Sequence, residues 1–139
     1  MSLFRSSQER PSDADTKQLI RLVTRFYGHL NNAVAEIRLD TDHTGESVYP
    51  HLDACRKCVQ AMRQTSPEGE EIWEKIDSSL DLFEAMVAKG VKLHTSPDLG
   101  GKRRAYAAQT RKLGVEAQLQ LDAAMDLASD WLGVHLPQK

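Results

Sequence analysis

Several features that define whole classes of protein are absent from this sequence. No apolar run approaches the roughly 20 residues that a membrane-spanning helix needs, and the polar N-terminal segment lacks the apolar core of a signal peptide. The early acids Glu9 and Asp13 are untypical of a transit peptide. The two cysteines, Cys55 and Cys58, lie three positions apart and cannot form the disulfide framework of a small secreted fold. These absences predict a soluble, cytoplasmic protein.

Aromatic residues and net charge are also low. Aromatic side chains make up 6% of the chain, and no stretch alternates apolar and polar residues over a useful length, so strands are not predicted. A net charge of −2 excludes a chain that binds nucleic acid or anionic lipid over its whole surface. The 139 residues, 40% of them hydrophobic, fit one domain with its own core.

The chain does contain four segments whose apolar residues recur every three or four positions. That spacing is typical of one buried face of an α-helix. The predicted helices span residues 13–39, 47–64, 67–89 and 97–132, with 50 as an alternative start for the second and 102 for the last. Such helices must bury their apolar stripes against one another. The sequence therefore predicts an all-α protein, an antiparallel four-helix bundle with short connections.

Local signals set the limits of the domain. Residues 1–12 are predicted to be a flexible tail, with Ser12 or Asp13 capping the first helix. Gly133 ends the last helix, which leaves a single domain over 13–133 and a short C-terminal tail over 134–139.

The third predicted helix has a start and a stop of its own. Ser66 followed by Pro67 places a capping residue before a proline at the first helical position. Gly90 is a natural C-terminal stop, because glycine accepts the left-handed backbone that ends many helices.

One local constellation on the second helix has chemical potential. His51, Cys55 and Cys58 are spaced so that all three lie on one helical face. Imidazole and thiolate are ligands of zinc and copper, and a Cys-x-x-Cys pair can also serve redox chemistry. However, Cys55 falls within the core stripe, where a free cysteine behaves as a small hydrophobe. We favour the core interpretation and predict no cofactor; a metal- or redox-linked helical protein stays as an alternative.

Motifs of catalysis are missing. The chain has no Gly-x-Ser-x-Gly, no phosphate-binding glycine loop before a lysine, and no Glu-x-x-His pair of the kind that holds di-iron centres. No catalytic residue is predicted, and an enzyme is the less favoured interpretation.

The last predicted helix carries its charges in two blocks. Five cations without an acid come first: Lys102, Arg103, Arg104, Arg111 and Lys112. Four acids and no base follow between residues 116 and 130. The basic stretch, residues 102–112, could bind an acidic partner or RNA, with Tyr106 adding a stacking surface.

We expect, however, that most of this basic stretch is neutralised within the molecule. In an antiparallel pair its neighbours come from the end of the third helix. The acids assigned to that end are Asp77, Asp81 and Glu84. Each exposed ion pair of this kind is worth only about 0–1 kcal/mol.

Val115 and Leu119 lie off the apolar stripe of the last helix. They predict either a wider buried face or an exposed docking or dimer surface. Without a catalytic site, we expect an intracellular protein–protein interaction module: an adaptor, regulator or assembly subunit. It would bind a helix of another protein in a groove or form a homodimer, using the basic stretch, Tyr106, Val115 and Leu119. Direct binding of nucleic acid through 102–112 is a further, less favoured alternative.

Overall fold

The computed structural model describes residues 10–39 and 44–136, without the side chains of 97–99. Four helices follow one another: α1 (Asp13–Leu39), α2 (Tyr49–Thr65), α3 (Glu70–Thr95) and α4 (Arg103–Leu132). Short 3₁₀ turns, Pro67–Gly69 and Pro97–Lys102, precede α3 and α4. Over these ranges no strand is present, so the predicted all-α four-helix bundle is confirmed.

The core draws on every helix. α1 packs mainly on α2 and α3 on α4, while α2 and α3 join the two pairs. The largest fully buried side chains include Leu19 and Phe26 of α1, Leu52 and Met62 of α2, Trp73 and Ile76 of α3, and Met125 of α4. Burying one such side chain contributes roughly 1.5–3 kcal/mol. Among the described helices, none has a stretch both long and apolar enough to cross a membrane.

The end of α3 differs from the prediction. The helix passes through Gly90 and ends at Thr95. Gly90 does not have the positive φ of a helix-ending glycine. Val87 is buried and Val91 packs against the core, so the apolar stripe continues beyond the glycine. That packing offsets the roughly 1 kcal/mol that a glycine costs inside a helix.

The helix starts follow the predictions in part. Ser12 caps α1, since its Oγ accepts a hydrogen bond from the backbone N–H of Asp15 at 3.1 Å. The prediction that Ser66 caps α3 was wrong: its hydroxyl makes no capping bond, and α3 begins only at Glu70, after the 3₁₀ turn. α2 begins at Tyr49, between the two predicted starts, residues 47 and 50.

The C-terminal end of the domain extends further than predicted. Gly133 ends α4 in the left-handed conformation, as expected. However, Leu136, assigned to a tail, is fully buried in the core. The rest of that tail (137–139) and residues 1–9 of the predicted N-terminal tail lie outside the described residues.

Candidate functional site

The structure places the three candidate ligands of α2 in or beside the core. Cys55 is fully buried, and its thiol donates to the backbone carbonyl of Phe26 on α1 at 3.7 Å. Cys58 is buried as well, while His51 is half-buried in the first turn of α2. Within the described part of the chain, no three His, Cys, Asp or Glu side chains are grouped so that they could hold a metal ion.

The environment of Cys55 opposes redox chemistry. Burial raises the pKa of Cys55 from 9.0 to about 12, with a smaller contribution from Cys58. Burial also raises the pKa of Cys58. A reactive cysteine needs the opposite shift, because the thiolate is the nucleophile. Both thiols therefore favour the core interpretation of this stretch.

The raised pKa of Cys55 predicts a pH-dependent stability. The pKa of Cys55 is higher in the folded state than in the unfolded state. The protonated thiol's contribution to the free energy of unfolding is therefore complete below about pH 9 and is lost as the pH rises towards 12. Between about pH 8 and pH 11, the free energy of unfolding of wild type should fall by about 2 kcal/mol more than that of a Cys55→Ala variant. Urea denaturation at both pH values measures this. Equal losses in the two proteins would contradict it.

At the junction of α3 and α4, Arg103 has a structural role. Its guanidinium donates hydrogen bonds to the backbone carbonyls of Leu93 and, at 3.3 Å, of Ser96. Cationic side chains satisfy the last carbonyls of a helix and complement its dipole. Arg103 thereby holds the end of α3 to the start of α4. Among the described residues, no other member of the predicted basic stretch bonds to these carbonyls.

Tyr106 lies under two further cations. The Nζ atom of Lys89 is 4.5 Å from the centroid of the Tyr106 ring, and that of Lys92 is 5.6 Å away. Such contacts are cation–π interactions. A hydrogen bond from Lys92, together with the charges of Lys92, Lys89 and Lys102, lowers the pKa of the Tyr106 hydroxyl. The end of α3 is thus positive, like the start of α4.

The predicted neutralisation of the basic stretch was wrong. The acids of α3 pair with α2: Arg56 lies 2.8 Å from Asp81 and 3.6 Å from Glu84. Arg63 lies 2.9 Å from Asp77. Because α3 runs past Gly90, these acids are not at its end.

A cluster of cations is left beside the start of α4. Its members are Lys89, Lys92, Lys102, Arg103 and Arg104, and we call it the cationic end. Of the predicted basic stretch, and counting described side chains alone, only Lys112 has a carboxylate within ion-pair distance, Glu116 at 3.9 Å. The residues that the sequence pattern missed are Lys89 and Lys92, because a helix stopping at Gly90 would not carry them here.

Val115 and Leu119 are the exposed apolar residues of α4. They are 60% and 63% exposed, which confirms that they lie outside the buried face. One helical turn separates them, so the two side chains are neighbours on the surface. Arg111 and Lys112 precede them on the same helix and are exposed too.

An apolar groove opens where the ends of α1 and α3 meet α4. Its volume is about 290 Å³. Ile37, Val48, Met86, Val91 and Thr110 are among its lining residues. Ile37 follows the apolar spacing of the first helix, so no sequence pattern distinguished it as a groove residue. The groove lies close to the cationic end, since His94 and Leu93 line it as well.

Comparisons with protein families, with characterised proteins and with solved structures find no match for this chain. Fold and surface therefore define what class of protein this is. It is an all-α four-helix bundle whose last helix presents an exposed apolar pair beside a concentration of positive charge.

Proposed function

We propose that the protein is a protein–protein interaction module, an adaptor, regulator or assembly subunit that binds through α4. The observation that carries this proposal is the exposure of Val115 and Leu119 beside one another, at 60% and 63%. A single exposed leucine is ordinary on a protein surface. An adjacent apolar pair flanked by charged residues is typical of a binding surface.

The charges around this pair support the proposal. Arg104, Arg111 and Lys112 are exposed on α4 ahead of the apolar pair. Positive charge that is not balanced within the fold steers an acidic surface towards it and sets the orientation of the complex. Arginine is also enriched at interfaces, where it combines apolar contact with hydrogen bonding.

A photo-cross-linker placed on α4 tests the proposal. In an extract of the cells that make the protein, p-benzoylphenylalanine in place of Leu119 is expected to give discrete protein adducts, a second copy of the chain included. The matched control carries the same group in place of Gln64, an exposed position of α2. Adducts from both positions alike, or from neither, would contradict the proposal. A nuclease-sensitive adduct would favour the nucleic-acid alternative instead.

A further inference from the structure

The charge order of α4 is opposite to that of the other long helices. α1 and α3 carry acids in their first turn and bases in their last turn, which suits the helix dipole. α4 has no acid in its first turn and no base in its last. It begins with Arg103 and Arg104, and Asp130 lies in its last turn. The dipole of α4 therefore does not account for this order, and of the two first cations Arg103 is explained by its bonds to the end of α3.

The reversed charges lie on one face together with the apolar pair. At the helical rotation per residue, the face spans an arc of about 100°. Its charged and apolar members, in chain order, are Arg104, Ala108, Arg111, Lys112, Val115, Leu119, Asp122, Asp126 and Asp130; we call it the outer face of α4. All are exposed except Asp122, which is half-buried. The outer face thus runs from cations through an apolar centre to acids.

We propose that the outer face of α4 pairs antiparallel with the same face of a second copy of this chain. Placing Val115 against Leu119 of the second copy puts a two-fold axis at the height of residue 117 along the helix. In that register Arg104 lies at the height of Asp130 of the other copy, and Lys112 lies at the height of its Asp122, within reach of their long side chains. The apolar pair alone sets the axis, and the charged pairs coincide with it. A two-fold contact of this kind is self-complementary, since each interaction occurs twice.

Charge selects this arrangement over its alternative. In a parallel pair the cations of one copy would face those of the other, and the acids likewise, which is unfavourable. Asp122 and Lys112 have partners within their own helix, at its surface, which contacts with a second copy can replace. Gln118 donates a 2.8 Å hydrogen bond to Asp122, and Lys112 lies 3.9 Å from Glu116. The inference rests on the proposed function, because it names the partner of the same face.

The contact is long but weak. From residue 104 to residue 130, α4 extends about 39 Å. Only two large apolar side chains per copy lie at the centre, and each exposed ion pair contributes little. We therefore expect a dissociation constant between about 1 μM and 1 mM, with weaker association at higher salt concentration.

Two charge-reversed variants of the full chain test the register. The first carries Arg104→Glu and Lys112→Glu, so its outer face is mostly acidic; the second carries Asp122→Lys and Asp130→Lys, so its outer face is basic. Sedimentation equilibrium of the purified proteins is expected to show self-association of wild type and at least about 30-fold weaker self-association of each variant. An equimolar mixture of the two is expected to recover association, because an acidic face meets a basic one.

A loss of folded structure in the variants must be distinguished from a loss of association. Arg104→Glu and Asp130→Lys suit the helix dipole, whereas Lys112→Glu and Asp122→Lys remove the contacts with Glu116 and Gln118. Thermal unfolding of each purified variant therefore accompanies the measurement, and a helical, cooperatively melting monomer shows that weaker association is not a loss of folding. A monomeric wild type at about 1 mM, or variants that do not recover association when mixed, would overturn the inference. If that happens while the cross-linker at Leu119 still captures another protein, the proposed function stands. If neither is seen, both fail.

Discussion

Replacing Trp73 with alanine is expected to lower the free energy of unfolding by about 3–5 kcal/mol. The Trp73 side chain is 1% exposed and packs edge-on against Trp131 of α4, with ring centroids 6.2 Å apart. Its indole N–H donates a 2.8 Å hydrogen bond to the carbonyl of Ser66, in the turn between α2 and α3. The substitution therefore leaves a cavity at a point where three helices meet. Urea denaturation measures the loss.

A Trp73→Phe variant serves as the matched control. It keeps most of the buried apolar area but removes the indole N–H. The Ser66 carbonyl then keeps only the 3.0 Å hydrogen bond from the backbone N–H of Gly69. We expect a loss of about 1–2 kcal/mol from the missing hydrogen bond and the smaller ring. A Trp73→Ala loss below about 1 kcal/mol would contradict this packing.

Replacing Gly69 with alanine is expected to cost about 1–3 kcal/mol by overpacking. A Cβ atom at this position would lie 2.8 Å from two atoms of the Trp73 ring and 2.9 Å from the Trp131 ring. Neither ring can withdraw easily, because both are buried. Gly69 has a φ of −87°, which alanine accepts, so the expected loss is a packing effect and not backbone strain.

The matched control is Gly90→Ala, inside α3, the helix that Gly69 precedes. A Cβ atom there would meet nothing within 4 Å. Since Gly90 is in the interior of α3, alanine is expected to stabilise the protein by about 0.5–1 kcal/mol. Thermal and urea denaturation of the two variants should thus differ in sign. A destabilised Gly90→Ala variant would instead indicate a helix that ends at this glycine.

Helix periodicity made most of the fold predictable, because it depends on residues close together in the chain. The stripe of α4 is an example, since Leu121, Met125 and Leu132 are all buried. The stop at Gly90 failed for a physical reason. A glycine only weakens a helix, and the burial of Val87 together with the packing of Val91 outweighs it. The propensity of one residue could not show how far the neighbouring helices extend.

The candidate site was predictable in part. The phase of α4 placed Val115 and Leu119 outside the buried stripe, and the structure agrees. The partners of the charged residues could not be found in this way. Neutralisation by α3 was expected from a pairwise comparison of α3 with α4. Ion pairs depend on which residues lie at the same height in all the helices, and Arg56 and Arg63 of α2 lie nearer to the acids.

Concentration-dependent NMR of the purified, isotopically labelled protein tests most directly whether the outer face of α4 binds a second copy of the chain. Amide resonances from residue 104 to residue 130 of α4 are expected to shift as the protein is concentrated from about 10 μM to about 1 mM. The largest changes should lie near Val115 and Leu119, and added salt should reverse them. Resonances of α2, such as that of Gln64, should not move. Spectra that are independent of concentration, or shifts centred on another helix, would contradict self-association through this face.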